Sequence, residues 1–439
     1  MSIEVKNEVN YAALVIEVPT PVKLPNSDKL YGIGVAGIEV VVDASWLDRV
    51  GEKAVLFPAE AQLSHPLCAY ANLYRHQEFN DDPEEQGYLD DNRRIRALKL
   101  RGNISKGLIL PLDKITGISS ADADDFEVGQ SFDTVWGVEI SRKYALPVKG
   151  VPMSKEQAKL AKAFKRVDEK VFPMHIDTEQ YERNEGHVDD SDIVIVTQKL
   201  HGTSVRFGNV PVKVEHTFWE RLAKKLGIRV REHEYDLIAG SRKVIKDPKS
   251  TTQAHFYSTD VWGSAAELYG HGLPKDFMVF GELVGFTPSG EPIQKGFTYS
   301  DRPEGGMGLY VYRVAIVNED GVLRDLSWDQ VKKFCYTYGL NHTPELWRGP
   351  KVALVLEKFA EKAFRVAYDS ENWASGTALY NDRPVGLSAG GTGKDEGIVL
   401  RVDRGGDVPY LLKYKNDSFY LAETQALDSE ELDLESSQV

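Results

Sequence analysis

The apolar positions of this chain fall mostly into short β-branched runs bounded by turn residues. Only a few stretches carry the 3.6-residue spacing of an amphipathic helix. Residues 11–18, Tyr-Ala-Ala-Leu-Val-Ile-Glu-Val, predict a strand ended by Pro19-Thr-Pro21. Tyr31–Val35, Gly37–Val42 and Ala54–Phe57 predict three more, at the spacing of a small β-barrel. Arg93 to Arg101 alternates basic and apolar residues. As one strand it would bury Ile95 or Leu98 and present arginines on its other face, suited to phosphates; an ordinary solvated strand face is an equal alternative. The segment from Gly102 to Leu112 closes this first region.

Residues 113–190 read as a connection, with one helix from Met153 to Arg166 capped by Ser154 and Gln157. From Asp192 onward strands alternate with helices. Ile193–Val196, Phe277–Gly285, Leu309–Ile316, Lys394–Val402 and Pro409–Lys415 predict strands, and Thr217–Leu226, Ser327–Tyr338 and Leu356–Tyr368 predict helices. The organisation expected is a domain over 1–115, a connecting region over 116–190, a second domain over 191–420 and an acidic tail over 421–439.

Composition narrows the class. At 439 residues, 42% hydrophobic and 27% charged, the chain can build two or three globular cores. No run approaches the ~20 apolar residues of a membrane span. The start, Met-Ser-Ile-Glu-Val-Lys-Asn-Glu, shows no secretory pattern, so an intracellular, cytoplasmic, monomeric protein with no membrane partner is expected. Cys68 and Cys335 read as two buried structural thiols. Taken as a total, the net charge of −14 argues against a polyanion partner. Yet His76–Asn92 holds seven carboxylates and no base, and Leu421–Val439 holds six and none, so the remaining body is close to neutral.

Chemistry concentrates around Lys199. The strand Ile193–Val196 delivers this lysine onto a glycine-containing turn, Lys199-Leu-His-Gly-Thr203, and Ser204–Phe207 leads away. An amine at the rim of a buried sheet loses solvation of its charged form, which is what a nucleophilic lysine requires. Alone, it reads as an ordinary hairpin lysine, and the nucleophile reading needs the right partners downstream. Two other motifs fail on context. Gly386-Leu-Ser388-Ala-Gly390 lacks the strand and helix of a nucleophile elbow, and Gly393-Lys394 is followed by Asp395 where a phosphate loop needs Ser or Thr. The signals that survive are K-x-H-G-T (199–203), S-R (241–242), F-G-E (280–282), Y-R-V (312–314), E-G-I-V (396–399) and L-K-Y-K (412–415).

In that order these six resemble the motifs of the covalent nucleotidyltransferases, the ATP-dependent ligases and mRNA capping enzymes, over roughly residues 190–420. K-x-H-G-T with L-K-Y-K-N near the end is most similar to template-dependent RNA ligases. The run from Arg93 to Leu112 resembles RNA ligases carrying an OB-type domain before the catalytic one. Capping enzymes and most DNA ligases carry an OB domain after the last lysine motif, whereas only about two dozen residues follow Lys415 here, so neither a capping enzyme nor a typical DNA ligase is expected.

The resemblance implies an α+β fold: an antiparallel-sheet nucleotidyltransferase domain preceded by an OB-like barrel. It implies ATP as substrate, Mg²⁺ or Mn²⁺ as metal, and RNA, as a nicked duplex, as partner. Lys199 would attack the α-phosphorus of ATP, with Lys413 and Lys415 offsetting phosphate charge. Glu396 would bind the metal, Glu282 the ribose, and Tyr312 would stack on adenine. Gln198, Leu200 and Gly202 would line the nucleotide site, Arg242 would touch the ribose or the acceptor 5′-phosphate, and Arg94, Arg96 and Lys99 would contact nucleic acid. His201 stands where many ligases have aspartate, and its role is left open. A ligase for DNA or RNA–DNA hybrid ends, or a non-catalytic RNA-binding protein, is the alternative.

Overall fold

A computed structural model of the chain describes residues 2–146, 166–246, 259–299, 306–359, 379–380, 383–384, 387, 390, 393–405 and 408–429. The expected helix at 153–166 lies outside these except for Arg166, as do residues 360–368 and Ser388. The chain divides into two compact units: Met1–Leu146 with Glu179–Gly186 and Asp417–Leu432, and Pro147–Thr178 with His187–Asn416 and Asp433–Val439.

In the first unit the predicted strands form with ends shifted by at most two residues. Gly107–Pro111, Lys53–Pro58, Ala13–Glu17 and Ser131–Phe132 make one antiparallel sheet in that order. Val22–Lys23, Tyr31–Val35 and Ile38–Val42 make another. The main sheet is buried on both faces: Val15, Val55, Phe57 and Leu108 pack with Phe126 and Phe132, while Ile16, Leu56 and Ile109 pack with Ile33 and Val40. Two-sided burial is why these runs are continuously apolar. Because Ser131–Phe132 pairs with Ala13–Leu14, the unit extends past the boundary expected at 115.

Arg93–Arg101 departs from the single strand expected. Arg93 and Arg101 have φ of 57° and 50°, which break the extended backbone, so the segment pairs in two pieces: Arg94 bridges to Gln62, and Leu98–Leu100 pairs with Asn103–Ser105. Arg94 and Ile95 are both buried instead of alternating. The cause is a buried polar network. The Arg94 guanidinium donates to Glu60, Asp428 and the Thr424 carbonyl. The Thr424 hydroxyl donates to Glu60 at 2.6 Å and accepts from the Ala97 N–H at 3.1 Å. Thr424 and Asp428 lie on the helix Asp417–Asp428, so the segment expected as a tail from 421 is in part an ordered helix of the first unit.

The second unit is built from antiparallel strands and two packed helices, in agreement with the expected α+β class. One sheet runs Ile245–Lys246, His233–Gly240, Thr203–Lys213, Phe277–Gly285, Met307–Val317, Leu323–Asp325, with Asn341–His342 parallel beside Met307–Val317. Elsewhere Tyr410–Lys415, Gly397–Val402, Ile193–Lys199 and Glu345–Pro350 lie side by side, all antiparallel. Val205, Phe207, Val279 and Val311 bury one face of the larger sheet against helices Val261–Tyr269 and Trp328–Tyr338. The second helix starts at a Ser327/Gln330 capping box and stops at Gly339, whose φ of 65° suits glycine. Cys68 and Cys335 are buried and unbridged, as expected, and burial pushes each thiol up to about 12.

Candidate active site

Strand register assembles the centre of the site. Lys199 pairs with Gly397, and Gly397 pairs with Lys415, so the two lysines stand on one face with a glycine between them. In the next row on that face, Thr197 pairs with Val399 and Val399 with Lys413. Gly397 has φ +138°, and a Cβ there would lie 2.1 Å from the Tyr414 carbonyl, so only glycine keeps the three strands this close.

Immediately before that glycine stands Glu396, 4% exposed. Its Oε1 lies 2.7 Å from Lys199 Nζ and 3.9 Å from Lys415 Nζ, and its Oε2 lies 3.6 Å from His201 Nδ1. Burial pushes its carboxyl up, but Lys199, His201 and Lys415 outweigh burial and hold it well below the usual carboxylate range. Glu396 is therefore ionised. Its Oε2 is buried with no hydrogen-bonded partner among the described residues.

The turn after Lys199 is held from several sides. Leu200 is buried with Val284, Tyr299, Tyr310 and Leu387. The His201 N–H donates to the Tyr299 hydroxyl at 2.9 Å, and the His201 ring lies 4.6 Å from Phe297. The Gly202 N–H donates to Glu282 Oε1 at 3.0 Å, and its carbonyl accepts from Gln294 at 2.8 Å. A Cβ on Gly202 would meet the Leu283 carbonyl at 2.1 Å. The Ser204 hydroxyl donates to the other Glu282 oxygen at 3.4 Å. The Gln198 amide makes a two-way pair with the Leu387 backbone, both bonds 2.6 Å.

Sequence-predicted residues thus come together unevenly. Lys199, Gly202, Glu282, Glu396 and Lys415 converge, with Gln198 and Leu200 behind them. Tyr312 sits two residues beyond Tyr310, the partner of Glu282, and its hydroxyl meets His175 Nδ1 at 2.7 Å. Burial, then Arg206, Arg242 and Arg313, push His175 well below its ordinary value, so it is neutral. Arg242 is bound to the exposed Asp177 at 2.6 Å. In the first unit Lys99 is exposed, Arg96 pairs with Asp90 at 3.1 Å, and Arg94 is buried in the network above. Arg94 accordingly does not present its charge, contrary to the expectation for it. Tyr299, Gln294, Phe297 and His175 were not singled out from sequence. The first three share the stretch Gln294-Lys-Gly-Phe-Thr-Tyr299, whose paired aromatics beside a glycine were the available signal.

The donor set fits a hard divalent cation at one point. Among the described residues no group of three or more His, Cys, Asp or Glu could hold a metal. Glu396 Oε2 is nevertheless a buried carboxylate oxygen without a donor. That suits an ion such as Mg²⁺, which takes one or two protein carboxylates and fills the rest of its shell with waters and phosphate oxygens.

The fold is that of an RNA ligase of the covalent nucleotidyltransferase type. A profile of the RNA ligase family matches residues 192–415, half of the chain, and the chain belongs to that family. No curated protein matches it. Among solved structures it is similar to Naegleria gruberi RNA ligase with PPi, at 16% identity and TM-score 0.57, covering 94% of this chain and 99% of that one. A mutant of the Naegleria gruberi enzyme with ATP and Mn gives 15% identity and 0.55 over 97% and 99%. Another mutant with AMP and Mn gives 14% and 0.56 over 93% and 98%. At these identities the likeness is one of fold.

Proposed function

We propose that this RNA ligase uses ATP to join 3′-OH and 5′-phosphate ends, sealing nicks in duplex RNA in a repair role. The observation that carries this reading is the row Lys199–Gly397–Lys415 with Glu396 against both amines. The Naegleria gruberi structures with ATP and Mn, with AMP and Mn, and with PPi support it by analogy.

In the first step Lys199 Nζ attacks the α-phosphorus of ATP. A P–N bond forms, the bond to the bridging oxygen breaks, pyrophosphate leaves, and the amine loses its proton. Glu396 holds that amine as a cation in the resting arrangement, so the ion pair must open before attack. Lys415, with Lys413 one row along, is placed to take up the charge growing on the leaving phosphates. In the second step a 5′-phosphate oxygen of RNA attacks the same phosphorus, breaking the P–N bond and returning Lys199. In the third a 3′-OH attacks the activated 5′-phosphate and AMP leaves. Glu282, held by the Gly202 N–H, would receive the ribose hydroxyls, and Tyr312 would stack on adenine. A Mg²⁺ or Mn²⁺ ion held by Glu396 would neutralise phosphate charge during these displacements.

Incubation with α-labelled ATP and Mg²⁺ or Mn²⁺ should give acid-stable label on the wild-type protein and none on Lys199→Ala. Unlabelled wild type, or label persisting on the variant, would refute the lysyl-AMP route. Nicked duplexes differing only in the sugars beside the nick then separate an RNA ligase from one for DNA or hybrid ends.

A further inference from the structure

One surface of the second unit has no part in this chemistry. The hairpin Thr203–Lys213/His233–Gly240 starts at the Lys199 turn and ends, about 33 Å away at ~3.3 Å per residue, where Lys213 pairs with His233. There the helix Phe218–Lys225 stands with no buried residue. A Thr217/Glu220 capping box gives it a defined start. Phe218, Trp219 and Leu226 are 71%, 74% and 71% exposed, and Leu222 and Ile228 are exposed beside them. At about 100° per residue, Phe218, Trp219, Leu222 and Leu226 fall on one face about 100° wide, bordered on one side by Lys225 and Arg221.

Charge points to the occupant. Residues 216–232 contain five bases (Arg221, Lys224, Lys225, Arg229, Arg231) and two acids (Glu220, Glu232), a surplus of three in a chain whose total is −14. Lys224 is taken up by Glu232 at 2.7 Å. Among the described residues Lys225 and Arg229 have no ion pair. Two adjacent exposed aromatic rings, 5.6 Å apart and nearly perpendicular, beside uncompensated cations are the two elements of polynucleotide contact: faces for bases and charge for phosphates. A lipid surface would accept the same side chains, but eight residues span only about 12 Å, a small apolar area for anchoring.

We propose that Phe218–Glu232 is an RNA-docking platform that holds the body of the substrate some 30 Å from the reacting ends. The proposal rests on the reading above that the substrate is RNA. It contributes to RNA affinity and to capture of long substrates, and not to nucleotide transfer.

The test uses the full chain with two variants, Phe218→Ala/Trp219→Ala and Lys225→Glu/Arg229→Glu. Fluorescence anisotropy with a labelled 40-nucleotide nicked RNA duplex, at several salt concentrations, reads affinity, and transfer of α-label from ATP without RNA reads the first chemical step. Each variant should bind RNA at least tenfold more weakly while labelling as wild type does. The charge variant should also lower the salt dependence, roughly by one unit of log–log slope per cation removed. Unchanged RNA affinity in both variants overturns the proposal. So does binding to phosphatidylserine vesicles that both variants lose while RNA affinity stays, which would assign the helix to a membrane surface. Failure of wild type to label would refute the ligase reading alone, since the anisotropy arm is read independently.

Discussion

Lys199 and Glu396 meet at 2.7 Å, and the oxygen of Glu396 that does not receive the amine is buried without a hydrogen-bond donor. One carboxylate therefore faces the proposed nucleophile through one oxygen and offers a hard ligand through the other, which lies 3.6 Å from His201 Nδ1. Glu396→Gln keeps the shape and removes both properties. Its rate of label transfer from ATP should fall about 10²-fold, with a higher Mn²⁺ concentration needed for half-maximal rate. A variant with the wild-type metal dependence would rule out ligation by Glu396.

The same residue fixes a pH expectation. Its folded carboxyl titrates below the ordinary value of 4.5, so its stabilising contribution is complete above that value and is lost only as pH falls through the folded one. The difference in unfolding temperature between wild type and Glu396→Gln should be constant from pH 7 to 5 and should shift only on stronger acidification. A difference that changes between pH 5 and 7 would mean that another group is responsible.

Gly397 is the spacer between the two lysines, and alanine there meets both a φ of +138° and a carbonyl at 2.1 Å. Gly397→Ala should cost at least ~1–3 kcal/mol in urea unfolding. Labelling should fall further than stability does, because the row Lys199–Lys415 is displaced. Normal labelling in the folded variant would show that the row is not needed.

Arg94 and Lys99 sit five residues apart and should behave oppositely. Arg94→Met leaves Glu60 buried without its cation and should destabilise the first unit by roughly 3–5 kcal/mol, with the salt dependence of RNA binding unchanged. Lys99→Ala should leave the unfolding temperature alone and lower the log–log salt slope by about one. Thermal unfolding and salt-titrated anisotropy read both, and the reverse pattern would return Arg94 to the nucleic-acid surface.

The centre of the site was legible because Lys199, Glu396 and Lys415 each sit at or beside the end of an apolar strand and Glu282 is the one carboxylate within another, so local pattern marks both strand and side chain. Register then brings them together without further information. Tyr299 and Gln294 were not legible, since they come from a loop with no periodicity and act through a hydroxyl and an amide on backbone groups of the Lys199 turn. Arg94 was misread for a related reason. Charge at one position does not reveal its partner, and Asp428 lies 334 residues away. Of the four strands read in the first region, Ala13–Glu17 and Lys53–Pro58 stand out because their sheet is buried on both faces, whereas Tyr31–Val35 and Ile38–Val42 are marked by short apolar runs between turn residues. The unit's true extent could not, because Ser131–Phe132 is too short a strand to stand out.

The helix Asp417–Asp428 also has a consequence for the order in which the protein is made. The first unit is nearly complete by Leu146, yet Thr424 and Asp428 complete the polar network around Glu60 and Arg94. During synthesis at 5–20 residues per second, the 271 residues from 146 to 417 take roughly 15–50 s. For that interval Arg94 has Glu60 but neither Asp428 nor the Thr424 carbonyl. The first unit is thus closed by a segment that emerges after residues 187–416, so its final stability is reached only after most of the second unit has been made.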